Sequence, residues 1–442
     1  LASLVDKSMV ATEQGTDGAT RYHLLESIRE FAEGRLDEAW ETESLRERHA
    51  QHHAEVAAQL QAMQRAGGLA DALHALDADE AEFRSALRFT IATRRYELAG
   101  RLVDGLGYLW YAGGQFREGL DWCRALLGND PELSDEVRAG VLHSFALVVS
   151  GNGHPELGVE AAIEQVEIRR RLGDPARLAG ALTILGNYLV DIGDVKAAPV
   201  LDEAAALVRG LGDTAHLALV LCTTGYGLMI AGRFEEAEAT YRDALRNARV
   251  AASPMSIAVS MSGIGQSLTY ARRGSEARAH IVESRERFAE LNVHPGVITS
   301  DVMLGLVARE EGDHVGAARL WLAALTAPGQ PWFDEDDYST LQYAASILAD
   351  PGTAAVLLGA ADAAYEATQV AQIAYVQTDF AATRARCTGQ LDPDEFGERF
   401  RAGSRRTKDE AVAIGIEALE AFVAQTAEAS GGRTSTTTAD SR

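Results

Sequence analysis

The sequence predicts an all-α protein built from helical hairpins that repeat about every 40 residues. Small residues recur at a fixed spacing along most of the chain. Ala, Leu and Gly dominate the composition, and runs of strand-forming residues are scarce, which favours helices. Of the 442 residues, 47% are hydrophobic, so the chain has enough apolar side chains to bury a core.

Changes in pattern divide the chain into four predicted parts. Residues 1–60 form a partial winged-helix segment, and residues 61–330 form the repeat array. Residues 331–425 continue as divergent helical repeats with a looser pattern, as in "GTAAVLLGAADAAYEA". Residues 426–442 form a tail that should be disordered because it has few apolar residues.

The first part reads as helix, hairpin and helix. "LASLVDKSM" predicts a short helix, and "VATEQGTDGATRYHLL" predicts a hairpin with its turn at residues 15–18, where Gly and Asp suit the turn. The next helix carries an apolar stripe at helical spacing, formed by Leu24, Ile28, Phe31, Ala32 and Leu36. This arrangement is the second half of a winged helix and is too small to close a core alone.

The repeat is visible in three aligned positions. The first is small and recurs every 39 or 40 residues, at Gly107, Ala146, Gly186, Gly225, Gly265 and Gly305. Twelve residues later stands another small residue, at Gly119, Gly158, Ala198, Ala237, Ala277 and Ala317. Seven residues after the first position stands a turn residue, at Gly114, Gly153, Gly193, Gly232, Arg272 and Gly312.

Each repeat therefore predicts a helix A, a turn and a helix B. The first small residue lets helix A approach helix B, the second does the same from helix B, and the turn residue ends helix A in a left-handed conformation. The connectors "RLGDP" at 171–175 and "GLGDT" at 210–214 place Gly after one helix and Asp before the next. Pro175 then occupies a first helical position, where no N–H is needed.

The pattern resembles tetratricopeptide repeats over residues 100 to 325, and "AGRFEEAEATYRDAL" at 231–245 matches their second helix. The resemblance implies a superhelix whose groove binds a protein or a peptide, with a small inducer as the alternative occupant. In that family, helix A residues line the inner face. The corresponding positions here are Tyr108, Tyr111, Asn187, Tyr226, Met229, Ser262, Gln266 and Arg309.

The front of the chain resembles another group of proteins. "LVDKSMV", "RYHLLESIREFAEGRLDEA" and "RERHA", followed by residues 81–127, look like the join between winged helix and repeats in bacterial STAND ATPases of the LuxR-like transcriptional regulator class. The resemblance implies an upstream NB-ARC domain that binds ATP or ADP. Many family members also carry a DNA-binding or cyclase domain at one end.

The chain departs from that family in its nucleotide motifs. It has no GxxxxGK[ST], and none of Lys7, Lys196 and Lys408 lies in a phosphate-cradling loop. The positions matching the family's Met-His-Asp motif are 24–26, which read Leu-Leu-Glu, and His23 lies two positions too early. We therefore expect no cofactor in this chain, with ATP or ADP bound only by a missing upstream domain. The chain is then the sensor part of such a regulator, and a free-standing repeat adaptor is the alternative.

The net charge and the cysteine spacing argue against several classes of binding partner and site. The formal net charge of −24 argues against direct nucleic-acid binding and against an anionic membrane surface. There is no signal-peptide pattern and no apolar run long enough to span a bilayer. Cys123, Cys222 and Cys387 are far apart and form no CxxC pair. These features predict a cytoplasmic protein.

Other motifs have ordinary structural explanations. His49, His52 and His53 have the spacing of metal ligands on a helix, but no partner carboxylate is evident, so we expect a solvated helix and no metal. "GLG", "GYG" and "GIG" at 105–107, 225–227 and 263–265 fall within predicted helices and indicate packing, not nucleotide loops. "DEDD" at 334–337 could bind a divalent cation through its carboxylate oxygens, but a solvated acidic loop is the favoured interpretation. No catalytic residues are identified, so we expect no enzyme activity.

Overall fold

The fold is all-α and consists of tetratricopeptide-like helical hairpins, preceded by a helix, a β-hairpin and a helix. The computed structural model describes residues 2–14, 20–65, 67–128, 132–150, 155–327, 334–368 and 371–434. The described residues form two compact units, unit 1 ending at Val148 and unit 2 beginning at Val149. Within the described ranges, no helix combines the length and apolar character needed to cross a bilayer.

Unit 1 contains the front segment and the first hairpins. Its elements are α1 (Ala2–Asp6), β1 (Val10–Gln14), β2 (Thr20–Leu24), α2 (Glu26–Glu38), α3 (Thr42–Arg65), α4 (Leu69–Ala92), α5 (Tyr96–Ala112), α6 (Phe116–Leu127) and α7 (Asp135–Ser150), which ends just inside unit 2.

The predicted helix, hairpin and helix at the front are present. Strands β1 and β2 pair antiparallel, with Val10 opposite Leu24, and the predicted turn at residues 15–18 lies outside the described residues. The apolar stripe of α2 is only partly buried, since Phe31 is 67% exposed whereas Ile28, Ala32 and Leu36 are half-buried. The predicted boundary at residue 60 falls inside α3, which runs from Thr42 to Arg65.

Glycines allow close helix contacts in unit 1. At Gly105 of α5, a Cβ atom would lie 2.7 Å from the Cβ of Ala57 in α3, so only glycine permits this crossing. Gly107 differs from the prediction: the atoms facing it belong to Ser144 of α7, the next A helix, and not to α6 of its own hairpin. At these two neighbouring glycines, α5 therefore faces α3 and α7.

Unit 2 contains the remaining hairpins and the C-terminal helices. They are α8 (Pro155–Leu172), α9 (Pro175–Asp191), α10 (Ala197–Leu211), α11 (Thr214–Ile230), α12 (Phe234–Val250), α13 (Pro254–Tyr270), α14 (Gly274–Glu290), α15 (His294–Glu310), α16 (His314–Thr326), α17 (Asp334–Ile347), α18 (Pro351–Thr368), α19 (Ala374–Thr388), α20 (Pro393–Ser404) and α21 (Lys408–Thr434).

The first small position of each unit 2 repeat packs helix A on helix B, as predicted. Each glycine faces one large side chain of its own hairpin's B helix. The pairs are Gly186 with Leu201, Gly225 with Tyr241, Gly265 with Ile281 and Gly305 with Trp321. Ala237, Ala277 and Ala317 are fully buried at the second small position, but Ala198 is exposed. Helix α10 begins only at Ala197, and that residue is buried instead.

The predicted turns and caps are confirmed. The backbone φ is positive at four of the predicted turn residues, Gly114, Gly193, Gly232 and Gly312. Arg272 adopts the same left-handed conformation, with φ 59°. Gly153 lies outside the described residues. Asp174 caps α9 by accepting hydrogen bonds from two backbone N–H groups, with Pro175 at the first turn. Asp213 caps α11 in the same way through the N–H of His216.

The C-terminal helices pack closely around a core that includes Leu341, Leu358 and Cys387. Gly359 and Gly403 place the backbones of α18 and α20 in contact, where a Cβ atom would collide with a carbonyl oxygen. Two predictions need correction here. The acidic stretch 334–337 forms the first turn of α17, not a loop, and α21 continues to Thr434 through residues assigned to the disordered tail. Residues 435–442 lie outside the described ranges.

Candidate partner-binding face

The A helices of unit 2 carry a set of accessible side chains, three of which, Asn187, Tyr226 and Gln266, occupy the same repeat position. We call this set the A-helix face and define it by Asn187 of α9, Leu219, Thr223 and Tyr226 of α11, and Met255 and Gln266 of α13. Leu219, Thr223 and Tyr226 follow one another at i, i+4 and i+7, so they share one side of their helix.

Polar side chains on this face contact each other between and within helices. The hydroxyl of Thr223 donates to the Oδ1 of Asn187 at 2.6 Å, which links α11 to α9. The Nε2 of Gln266 donates to the Oγ of Ser262 at 3.0 Å within α13. Asn187 is exposed, whereas Tyr226 and Gln266 are half-buried. These groups therefore lie at the surface with their side chains partly fixed.

Apolar side chains flank the polar ones. Leu219 is 55% exposed, and Met255 is also exposed. Isolated exposed apolar residues are common on proteins. Here they lie on the same helices as an accessible tyrosine and glutamine, and such a mixture of apolar and polar contacts is typical of protein–protein interfaces.

A segment of the chain itself crosses the C-terminal ends of the A helices. We call residues 371–379 the crossing segment. The backbone N–H of Ala371 donates to the carbonyl oxygen of Asp191, the last residue of α9, at 2.6 Å. Ala371 also lies beside Gly193, and Ala374 lies beside Gly232, at the turns that follow α9 and α11. The turn glycines thus leave room for the segment as well as ending their helices.

The aromatic ring of Tyr375 continues this contact to α13 and α15. It packs on the ring of Tyr270 with centroids 5.1 Å apart, and the guanidinium of Arg272 lies over it at 5.7 Å. The Tyr375 hydroxyl accepts a hydrogen bond from Arg309 at 2.8 Å and donates to Glu310 at 3.3 Å. Burial raises the pKa of Tyr375 to about 12, so its hydroxyl stays protonated at neutral pH.

Arg309 anchors the crossing segment electrostatically. Its guanidinium pairs with Asp379 at 2.9 Å and donates to Ser346 of α17 at 2.7 Å. The two side chains of the ion pair are only 13% and 15% exposed. Burial by itself lowers the pKa of Arg309, but the charge of Asp379 outweighs this effect and the pKa is raised. The predicted contact residue Arg309 is therefore occupied by the chain's own carboxylate.

The other predicted contact residues divide into three groups. Tyr108 and Tyr111 belong to α5 of unit 1, where their ring centroids lie 6.0 Å apart. Ser262 is buried and accepts a hydrogen bond from Gln266, so its own hydroxyl is not accessible at the surface. Met229 is only 1% exposed and is a core residue, so its prediction as a contact residue is wrong. Its repeat position fixes its direction on α11 but not how completely neighbouring helices cover it.

The sequence did not reveal the residues that hold the crossing segment. Tyr270, Tyr375 and Asp379 were not predicted as functional. Tyr270 carries a weak signal, since it follows Gly265 by five residues, as Glu310 follows Gly305. The segment itself lies where the repeat pattern is lost, so no register places it against the A helices.

The histidine motif of unit 1 is also more organised than a solvated helix. His52 is exposed as expected, but His53 is buried, and burial lowers its pKa. His49 Nε2 lies 2.8 Å from Glu82 Oε2, a carboxylate on the neighbouring α4 that the sequence did not connect with the motif. In the acidic stretch of unit 2, Asp337 pairs with Lys408 at 2.9 Å.

Comparison with known proteins finds partial relatives. No family model matches the chain. Proteins named "Putative HTH-type transcriptional regulator" in Mycobacterium tuberculosis and Mycobacterium bovis are 29% identical over 248 residues, which cover 52% of this chain and 27% of theirs. The match thus spans about a quarter of the length of these curated relatives.

Solved structures of helical sensors resemble the chain at low identity. The apo form of the quorum sensor NprR from B. thuringiensis has a TM-score of 0.49 at 13% identity, covering 80% of this chain and 99% of its own. A STAND protein with a tetratricopeptide repeat sensor from Pyrococcus horikoshii has a TM-score of 0.43 at 13% identity, covering 73% and 57%. These values are too low to support an argument about function.

Proposed function

We propose that this chain is a non-catalytic sensor and scaffold whose A-helix face binds a polypeptide partner. The observation that carries the proposal is the crossing segment. A stretch of polypeptide already lies across the ends of α9, α11, α13 and α15, held by a backbone hydrogen bond, an aromatic contact and an ion pair. A surface that binds one polypeptide in this way has the chemistry to bind another beside it.

The partner is expected on the part of the A-helix face that the crossing segment leaves accessible. Leu219 and Met255 offer apolar contact, while Asn187 and Gln266 offer amides that both donate and accept hydrogen bonds. Tyr226 occupies the same repeat position as Asn187 and Gln266 and adds a half-buried aromatic side chain. Rigid aromatic residues flanked by polar groups are favourable anchors for protein partners.

At a finer level, we propose that the chain is the regulatory part of a STAND-type transcriptional regulator. The sequence features at residues 4–50 and 81–127 support this, as does the name of the mycobacterial relatives. Partner binding would then control an upstream NB-ARC domain that holds ATP or ADP, in the cytoplasm. A free-standing adaptor is the alternative, and an in-frame P-loop in the coding sequence upstream of Leu1 distinguishes the two.

Peptide selection tests the binding proposal. A phage-displayed peptide library would be panned on the full chain, and enriched peptides would be synthesised and their affinities measured by fluorescence anisotropy. We expect micromolar binding that Leu219→Ser and Tyr226→Ala each weaken by at least about tenfold, the effect of losing an interface anchor worth about 1.4 kcal/mol or more.

Val250→Ser is the matched control for these variants. Like Leu219, Val250 is an exposed apolar residue, with 75% of its surface exposed. It lies at the end of the B helix α12, away from the A-helix face. Its peptide affinity should equal that of the parent. Failure to enrich any peptide, or equal loss of affinity in the control and in the A-helix variants, would contradict the proposal.

A further inference from the structure

Three potential metal ligands converge between α3 and α4 of unit 1. One ring nitrogen each from His49 and His53 and a carboxylate oxygen of Glu82 all lie within 4.8 Å of one another. We infer that these three side chains bind a divalent transition-metal ion, with zinc as the expected ion. Zinc bonds of about 2.0–2.1 Å place tetrahedral ligand atoms roughly 3.3 Å apart, so small side-chain movements complete the site.

The hydrogen bond of His53 prepares its ring for metal binding. Its Nδ1 lies 3.0 Å from the carbonyl oxygen of His49, one helical turn earlier. A carbonyl oxygen only accepts, so Nδ1 carries the proton and Nε2 keeps its lone pair in the neutral ring. A ring N–H donated to a backbone carbonyl is the usual support for a metal-binding histidine, because it fixes the tautomer and the orientation of the ring.

His49 and Glu82 supply the other two ligands. The 2.8 Å contact between Nε2 of His49 and Oε2 of Glu82 holds both atoms at the accessible side of the cluster. A metal ion would take the place of the proton that they share. The carboxylate would then bind the ion directly, while the deprotonated Nε2 of His49 would donate its lone pair.

Packing holds the cluster in place before any ion arrives. The buried ring of His53 meets the ring of Phe83 edge to face at 5.4 Å, and it lies 4.2 Å from the ring of His49. Phe83 is the residue next to Glu82 on α4, so the aromatic contact and the carboxylate are fixed by the same turn of helix. The side chains of His49 and Glu82 remain partly exposed, which gives an ion access.

The ligand chemistry selects the class of ion. Two imidazoles and one carboxylate suit zinc and its neighbours, whereas calcium and magnesium prefer oxygen ligands throughout. Three protein ligands leave a fourth position for water or for a ligand from elsewhere. Because the ligands come from two helices, the ion would tie α3 to α4 at the start of the helical array.

Calorimetric titration of the full chain with zinc chloride tests the inference, with cobalt(II) absorption as a measure of tetrahedral coordination. We expect one site per chain, a higher thermal midpoint when zinc is bound, and an affinity at least about tenfold lower in His49→Gln and in Glu82→Gln. His52→Gln is the matched control, because His52 is exposed on the same helix and lies outside the three-ligand cluster.

The variants separate a built site from adventitious binding. Both substituted ligands are partly exposed, so the metal-free variants should melt like the parent. The inference is overturned if Glu82→Gln binds zinc as tightly as the parent, if His52→Gln weakens binding as much as His49→Gln does, or if zinc binds only weakly at several sites.

Discussion

Tyr241 lies between two glycines, and this arrangement makes the repeat register testable. Its ring is only 4% exposed and belongs to α12. At Gly225 of α11, a Cβ atom would lie 2.7–2.9 Å from the ring, closer than real Cβ contacts allow. On α13, Gly263 faces the ring as well, so the ring has no free space into which it could retreat.

The expected cost of Gly225→Ala follows from two opposing effects. Alanine favours a helix over glycine by about 1 kcal/mol. Overpacking a well-filled core typically costs about 1–3 kcal/mol. Gly180→Ala is the matched control, since Gly180 lies inside helix α9 and a Cβ atom there would meet nothing within 4 Å. Both variants gain the same helix propensity, so their difference isolates the overpacking and should be about 1–3 kcal/mol.

Urea unfolding followed by circular dichroism measures this difference. Gly180→Ala should raise the urea midpoint of unfolding above that of the parent. The midpoint of Gly225→Ala should lie below that of Gly180→Ala. In a Tyr241→Ala background the added methyl group has room, so the cost of Gly225→Ala should disappear, as in a double-mutant cycle. If Gly225→Ala proves as stable as Gly180→Ala in the parent background, the assignment of Gly225 to the helix A–helix B contact is wrong.

Further predictions concern nucleotide binding, the front segment and Glu310. The chain alone should bind neither ATP nor ADP in calorimetric titrations, because it has no P-loop; micromolar affinity would refute this. Residues 1–41, with Phe31 and Trp40 exposed, should exchange amide hydrogens much faster than the helices around Gly186 and Gly225; equal protection would show that the front is a complete or docked domain. Burial raises the pKa of Glu310, so its contribution to stability is present at low pH and is lost as the pH rises through that raised value. The free energy of unfolding of Glu310→Gln should therefore rise relative to that of the parent between about pH 4 and neutrality. If this difference in free energy does not change with pH, burial does not raise the pKa of Glu310.

Much of the hairpin array could be predicted from the sequence because its contacts are local. In unit 2, the first small residue of each repeat packs against a partner that lies fewer than 20 residues further along the chain, as Gly265 does with Ile281. The turn position is fixed by the same spacing, so even Arg272 takes the left-handed conformation predicted for its glycine counterparts. Periodicity encodes such contacts directly.

The candidate sites could be predicted only in part because they depend on distant contacts. Glu82 joins His49 through the pairing of two helices, and no spacing rule within one helix can show this. Asp379 reaches Arg309 from beyond the regular repeats. Met229 shows a further limit, since a repeat position fixes the direction of a side chain but not the depth of its burial.

The contacts of the crossing segment also predict the order in which unit 2 assembles. Hairpins with local contacts form quickly, but the bond from Ala371 to Asp191 closes a loop of about 180 residues. Closing such a loop costs chain entropy, which only prior formation of the hairpins reduces. We therefore expect the segment to dock last. It then joins hairpins that would otherwise open one by one from the ends, so we expect the unfolding barrier of α15 to depend on the side chains of Tyr375 and Asp379 in α19.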